Sequence, residues 1–189
     1  MTTKQQILNM ALMKIGDIKL ADDDLSNRPY LNIAYATGKD IMLSYHYWNF
    51  AKIATDLMLV SESGEIPNYK YKYLVPIDMV SLVKLFSTYL NNVYDYTIIG
   101  KNIYSNEKNL KIMYISNTAN DDDIYPPYFA EAFACYIAKE ICTVVAGKAN
   151  MLQVLSPLFQ LSLSNAISKD SSEIPSPILK SNYYKNSRY

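Results

Sequence analysis

The sequence predicts an α+β protein: a helical bundle built from the N- and C-terminal thirds, an antiparallel β domain inserted between them, and an extended C-terminal tail. Two observations predict it. Apolar residues recur at helical spacing at both ends of the chain, whereas from Phe50 onward the pattern changes to short, β-branched or aromatic segments separated by Asn, Gly and Ser. A chain of 189 residues, 50% hydrophobic and 19% charged, is also long and apolar enough to bury one sizeable core. The expected units are residues 1–54 (N-terminal helices), 55–117 (antiparallel β domain), 118–170 (C-terminal helices completing the bundle) and 171–189 (tail).

In chain order, Thr2 and Thr3 can cap a first helix that runs through about Ile15. Its Ile7, Leu8, Ala11, Leu12 and Ile15 form one stripe, and Gly16 stops it. Pro29 suits the opening turn of a second helix, in which Leu31, Ala34, Tyr35, Gly38, Ile41, Met42 and Tyr45 keep helical spacing. Its end, "YHYWNFAK", holds the single His and the single Trp of the chain, so His46, Trp48, Asn49 and Phe50 are expected to form a structural corner between helix and sheet. Beyond it, "DLMLV", "YKYKYLVP", "VSLVKLFSTY", "YDYTIIG", "NIYS" and "LKIMYIS" read as strands of one antiparallel sheet, roughly four to six in number. Pro126 and Pro127 then favour the start of a helix. "FAEAFACYIAKEICTVVAG" is apolar on nearly every side, so that helix must be buried almost all round. After Gly147 the helical pattern resumes, with Pro157 expected to kink or restart it. The segment "SSEIPSPILKSNYYKNSRY" has two prolines and no stripe, as an extended tail would.

Several function classes lack support in these residues. Eighteen basic side chains balance eighteen acidic ones, so no net field draws the protein to nucleic acid or to an anionic membrane. No apolar run approaches the roughly 20 residues needed to span a bilayer, and no leader pattern opens the chain, so synthesis in a cytoplasm is expected. No Gly-rich phosphate loop occurs, and one His cannot make a paired-His metal site. Cys135 and Cys142 lie seven residues apart on one helix face, about 10 Å along the axis, beyond disulfide reach, and read as small buried hydrophobes. Pairing His46 with either thiol lacks any local nucleophile signature. Asp22, Asp23 and Asp24 lack the spacing of a calcium loop and read as a solvated, helix-capping turn. Carboxylate pairs such as Glu131 with Asp123, or Glu62 with Glu65, arise in any chain with this many acids. In "YKYKY" a two-residue period puts Tyr69, Tyr71 and Tyr73 on one side and Lys70 and Lys72 on the other. That is a half-buried strand rather than a stacking platform. The surplus of Tyr, 18 residues, suggests interfaces.

The order of the segments is more specific than any one of them. "ALMKIGD", "LSYHYWNFAK", "YKYLVPIDMV", "IIGKNIYSNEKNLKIMYI" and "YPPYFAEAFACYIAKEICTVVAGK" together resemble the tail tubular protein A family, the head-to-tail adaptors of short-tailed bacteriophages, over about residues 4 to 170. In that family a "WNF" segment closes the second helix, matching Trp48, Asn49 and Phe50. A "Leu-Pro-x-Asp" step is matched by Val75, Pro76, Ile77 and Asp78, with Val in place of Leu. The resemblance implies a structural, non-enzymatic virion protein without cofactor or metal. It would form a ring of about twelve copies between portal and tail nozzle, and genomic DNA would pass through it without sequence preference. The implied location is the portal–tail junction, after synthesis in the host bacterial cytoplasm and without membrane anchoring. The tail residues Ile178, Leu179, Tyr183, Tyr184 and Tyr189 are expected to dock on the portal, and Ile66, Tyr69, Tyr89 and Tyr94 to face the nozzle. The alternatives are another ring or stopper protein of the neck, a virion-associated cell-wall hydrolase, and a soluble single-strand binder whose affinity would fall steeply with salt.

Overall fold

The computed structural model describes residues 1–17, 28–62, 65–119, 124–146 and 150–173. The Asp22–Asp24 triplet, Asp123 and the tail residues named above lie outside this set. The chain begins with strand β1 (Thr2–Thr3), which leads into helix α1 (Lys4–Lys14). Thr3 and Gln6 close a reciprocal capping box at its start. At its end the Asp17 N–H reaches back to the Leu12 carbonyl while Gly16 takes φ +71°, a conformation glycine adopts without strain. Helix α2 (Pro29–Ser44) opens on Pro29, whose missing N–H costs nothing in a first turn.

A 3₁₀ turn, Asn49–Ala51, then feeds β2 (Lys52–Asp56). It is followed by β3 (Met58–Ser61), β4 (Tyr71–Leu74), β5 (Met79–Phe86), β6 (Tyr96–Ile99), β7 (Asn102–Ser105), β8 (Lys111–Ser116) and β9 (Ile124–Tyr125). Helices α3 (Pro127–Ala146) and α4 (Met151–Ser172) complete the order, and α4 continues through Pro157 without a break. The strands make three antiparallel sheets: β1–β9, β2–β8–β5 and β3–β4–β7–β6.

The expected arrangement, a bundle of N- and C-terminal helices around an inserted β domain, is overturned. The chain is α+β with four helices and three antiparallel sheets, but α1, α2 and α4 each pack on α3 and not extensively on one another. The physical reason lies in α3. Ala130, Ala132, Ala134 and Ala138 give it close-approach surfaces between the buried Phe129, Phe133, Ile137 and Ile141, so it offers an apolar face in every direction. The core around it also takes in Ile115 of β8, with Val80 and Val83 of β5 packed against it, so helices and sheet share one interior. The opposite face of that same sheet, through Ile112, Tyr114 and Leu85, closes a second core with Tyr73 and Ile103 of the four-stranded sheet. The three-stranded sheet is thus a middle layer with helices on one side and a second sheet on the other. Between Lys52 and Ser116 there are seven strands in two sheets, not one sheet of four to six.

Candidate functional site

The first place to look is the aromatic corner, since it holds the single His and single Trp. Trp48 is fully buried, and its indole N–H donates to the Met42 carbonyl at 2.9 Å, a second donor beside the Tyr45 N–H at the end of α2. Its ring meets His46 and Phe129 edge-on, each at 5.0 Å, and Phe50 meets the same Phe129 edge-on at 4.9 Å. What holds the corner is Asp170, in the last turn of α4 and fully buried. The Asn49 backbone N–H donates to both carboxylate oxygens at 3.0 and 3.2 Å. The Tyr128 hydroxyl donates at 3.2 Å, and His46 Nε2 lies 3.1 Å away. In return the Asn49 side-chain amide donates to the Asp170 backbone carbonyl at 2.7 Å. Burial, the Asp170 charge and Glu173 all push the Tyr128 phenol well above its usual range, so it stays a donor. Every polar group here is turned inward onto another, which is the pattern of a clamp. Neither thiol is part of it: Cys142 bonds to the Lys139 carbonyl, and Cys135 lies by Glu131 and Ser162.

A second carboxylate cluster sits where β5 begins. The hydroxyls of Ser116, Thr118 and Tyr114 all donate to Asp78. Burial would raise the Asp78 carboxyl, but the Ser116, Thr118 and Tyr114 hydrogen bonds outweigh it and hold the group below the usual carboxylate range. Burial and the same carboxylate push the Tyr114 phenol up to about 12. This cluster ties the "VPID" step to β8. Of the acids that suggested glycosidase pairs, the three described ones are ion-paired to lysines: Glu131 to Lys14, Glu62 to Lys108 and Glu65 to Lys72. Among the described residues no group of three or more His, Cys, Asp or Glu is placed to hold a metal ion. No described helix is long and apolar enough to cross a membrane.

Of the expected nozzle-facing residues, Ile66, Tyr69 and Tyr94 fall at one end of the four-stranded sheet, and Tyr89 lies in the loop after β5. Ile66 and Tyr69 bridge a tight turn, and the Asn106 amide joins that turn to the loop before β6 by donating to the Asn68 carbonyl and the Asp95 carboxylate. Tyr69 is half-buried and faces Asp95, which together with burial raises its phenol. Tyr94 adjoins this end and Tyr89 stands farther out on the loop, both with nearly free rings (84% and 89% exposed).

Sequence reasoning missed two features. Asp170 carried no signal, since "SNAISKD" reads as an ordinary helix end. The other is apolar exposure on the sheet. Met58 (70% exposed), Leu74 and Ile77 (100%) line an open groove of about 730 Å³ at the other end of the same sheet, and Ile99 is exposed nearby in the sequence-adjacent hairpin. The run "DLMLV" reads as a strand of one sheet, yet β3 is the outer strand of a separate sheet with Met58, Leu59 and Val60 exposed. No protein-family model matches the chain, and no curated protein matches its sequence.

Proposed function

We propose that the protein is a structural subunit of a phage neck, a head-to-tail adaptor that assembles with copies of itself into a ring between portal and tail nozzle. The observation that supports this most is where the two kinds of chemistry lie. The buried carboxylate, the His and the Trp are used up inside the corner, while large apolar side chains are left on the edges of the four-stranded sheet. A surface of that kind favours protein partners. The Asp170 clamp supports the portal-docking role of residues 171–189, because it holds the end of α4, from which that segment leaves, against the body. The order of sequence segments shared with the tail tubular protein A family supplies the particular assembly.

The test is the native mass of the full chain, alone and mixed with the portal protein of the same genome, with images of any complex. A ring stacked on the portal is expected. A monomer that ignores the portal would overturn the proposal, and peptidoglycan turnover lost on a single carboxylate change would put the hydrolase in its place. Removing the residues after Ser171, which keeps Asp170, should leave a folded subunit without portal affinity.

A further inference from the structure

We propose that copies of this chain join edge to edge, the outer edge of β6 in one copy pairing antiparallel with the outer edge of β3 in the next, so that the four-stranded sheet continues from subunit to subunit. This deepens the ring proposal by naming its interface, and it rests on that proposal only for closure of the assembly.

Four observations carry it. Both outer strands, β3 and β6, have an open side, since no described strand pairs with either edge. Both strands are short and the β3–β4 register shifts between Leu59 and Ser61, but "MLVS" and "YTII" contain no Lys, Pro or inward charge, and Met58, Leu59, Val60, Ile98 and Ile99 are all exposed. Strand directions alternate across β3–β4–β7–β6, so an even-numbered sheet repeated side by side brings β6 against the next β3 in antiparallel sense without any reorientation.

The rows across the sheet also match at their ends. Met58, Leu74, Asn102 and Ile99 form one row of cross-strand partners, and Leu59, Tyr73, Ile103 and Ile98 form the next. A shift along the hydrogen-bonding direction therefore sets Ile99 beside the next Met58, and Ile98 beside the next Leu59. Exposed apolar side chains meet on both faces of the sheet.

Coverage of both edges selects this pairing over its rivals. Two β3 edges paired together would leave the apolar β6 edge open. Two β6 edges paired together would leave the apolar β3 edge open. Only head-to-tail pairing covers both edges in every copy, and such an interface yields a ring or an open chain according to the rotation between subunits.

The test is a full-length Met58→Cys/Ile99→Cys double variant, mildly oxidised after assembly and run on a denaturing, non-reducing gel. Cys135 and Cys142 are buried and give little background. The expected result is a ladder extending well beyond dimer that collapses on reduction, with each single variant remaining monomeric on the gel. A ladder that stops at dimer, dimers from Met58→Cys alone, or no ladder from a chain whose native mass is that of a ring would each overturn edge pairing. The last of these would leave the ring proposal standing. A ladder from open chains that never close would support edge pairing and refute the ring. As a second readout, Leu59→Lys and Ile98→Lys, each placing a charge on an outer strand, should each raise the concentration for half-assembly about fivefold. An unchanged concentration in both would count against edge pairing.

Discussion

Replacing Asp170 tests the corner directly. The carboxylate is fully buried and accepts from the Asn49 N–H, the Tyr128 hydroxyl and, in the tautomer that donates from Nε2, His46. A hydrogen bond to a charged group contributes about 1.5–3 kcal/mol, but the three share one acceptor and are not additive. Asp170→Ala also strands the Asn49 N–H and the Tyr128 hydroxyl, and the loss expected from removing one member of such a buried cluster is about 3–5 kcal/mol. That is a large part of the roughly 5–15 kcal/mol holding a typical domain together. Asp170→Asn keeps the volume and one acceptor, so its loss should be smaller, about 1–2 kcal/mol. Because Trp48 is the single Trp and contacts His46 edge-on, its fluorescence in a urea titration reports the corner itself. A double-mutant cycle with His46→Ala should give a coupling of about 1 kcal/mol. An Asp170→Ala variant within about 0.5 kcal/mol of the parent, with an unchanged slope, would refute the claim that this carboxylate holds α4 to the corner.

Other outcomes follow from the same structure. The Asp78 carboxyl is held below its ordinary value of 3.8, so its contribution is present above that pH and is lost as pH falls through the folded value. The urea midpoint should drop below about pH 4, and Asp78→Asn should flatten that limb. Tyr114, raised from 10.0 to about 12, contributes fully below the first value and loses its contribution as pH rises through the second. Phenolate absorbance should show a late-ionising tyrosine that moves down in Asp78→Asn. Gly38→Ala would place a Cβ 2.9 Å from ring carbons of both Phe133 and Tyr136. It should destabilise by about 1–3 kcal/mol despite the better helix propensity of Ala, as read by thermal or urea unfolding. Cys135 and Cys142 should resist a thiol reagent in the native protein, and both should react in denaturant.

Local physics made some of this structure legible in the residues alone. Thr3 and Gln6 close a box, Gly16 turns the chain, Pro29 opens a helix, and Tyr71 and Tyr73 share a face because strands have a period of two. Interactions of this kind involve neighbours a few positions apart, and their chemistry is written in spacing. The partition of strands was not legible. Leu57 lies between β2 and β3, where the chain leaves one sheet for another, and a single apolar residue at that point looks like any other in an alternating run.

The sequence by itself determined the caps, the periods and the concentration of aromatics at residues 45–50, because each depends on a few adjacent side chains. Tertiary structure alone decided which apolar faces were covered. It joined Asn49 to an aspartate 121 positions away, gathered three helices on α3 instead of a bundle, and left Met58 and Ile99 outside. Burial depends on which surfaces meet across the whole chain, and the apolar residue of an edge strand is, in sequence, indistinguishable from that of a central one.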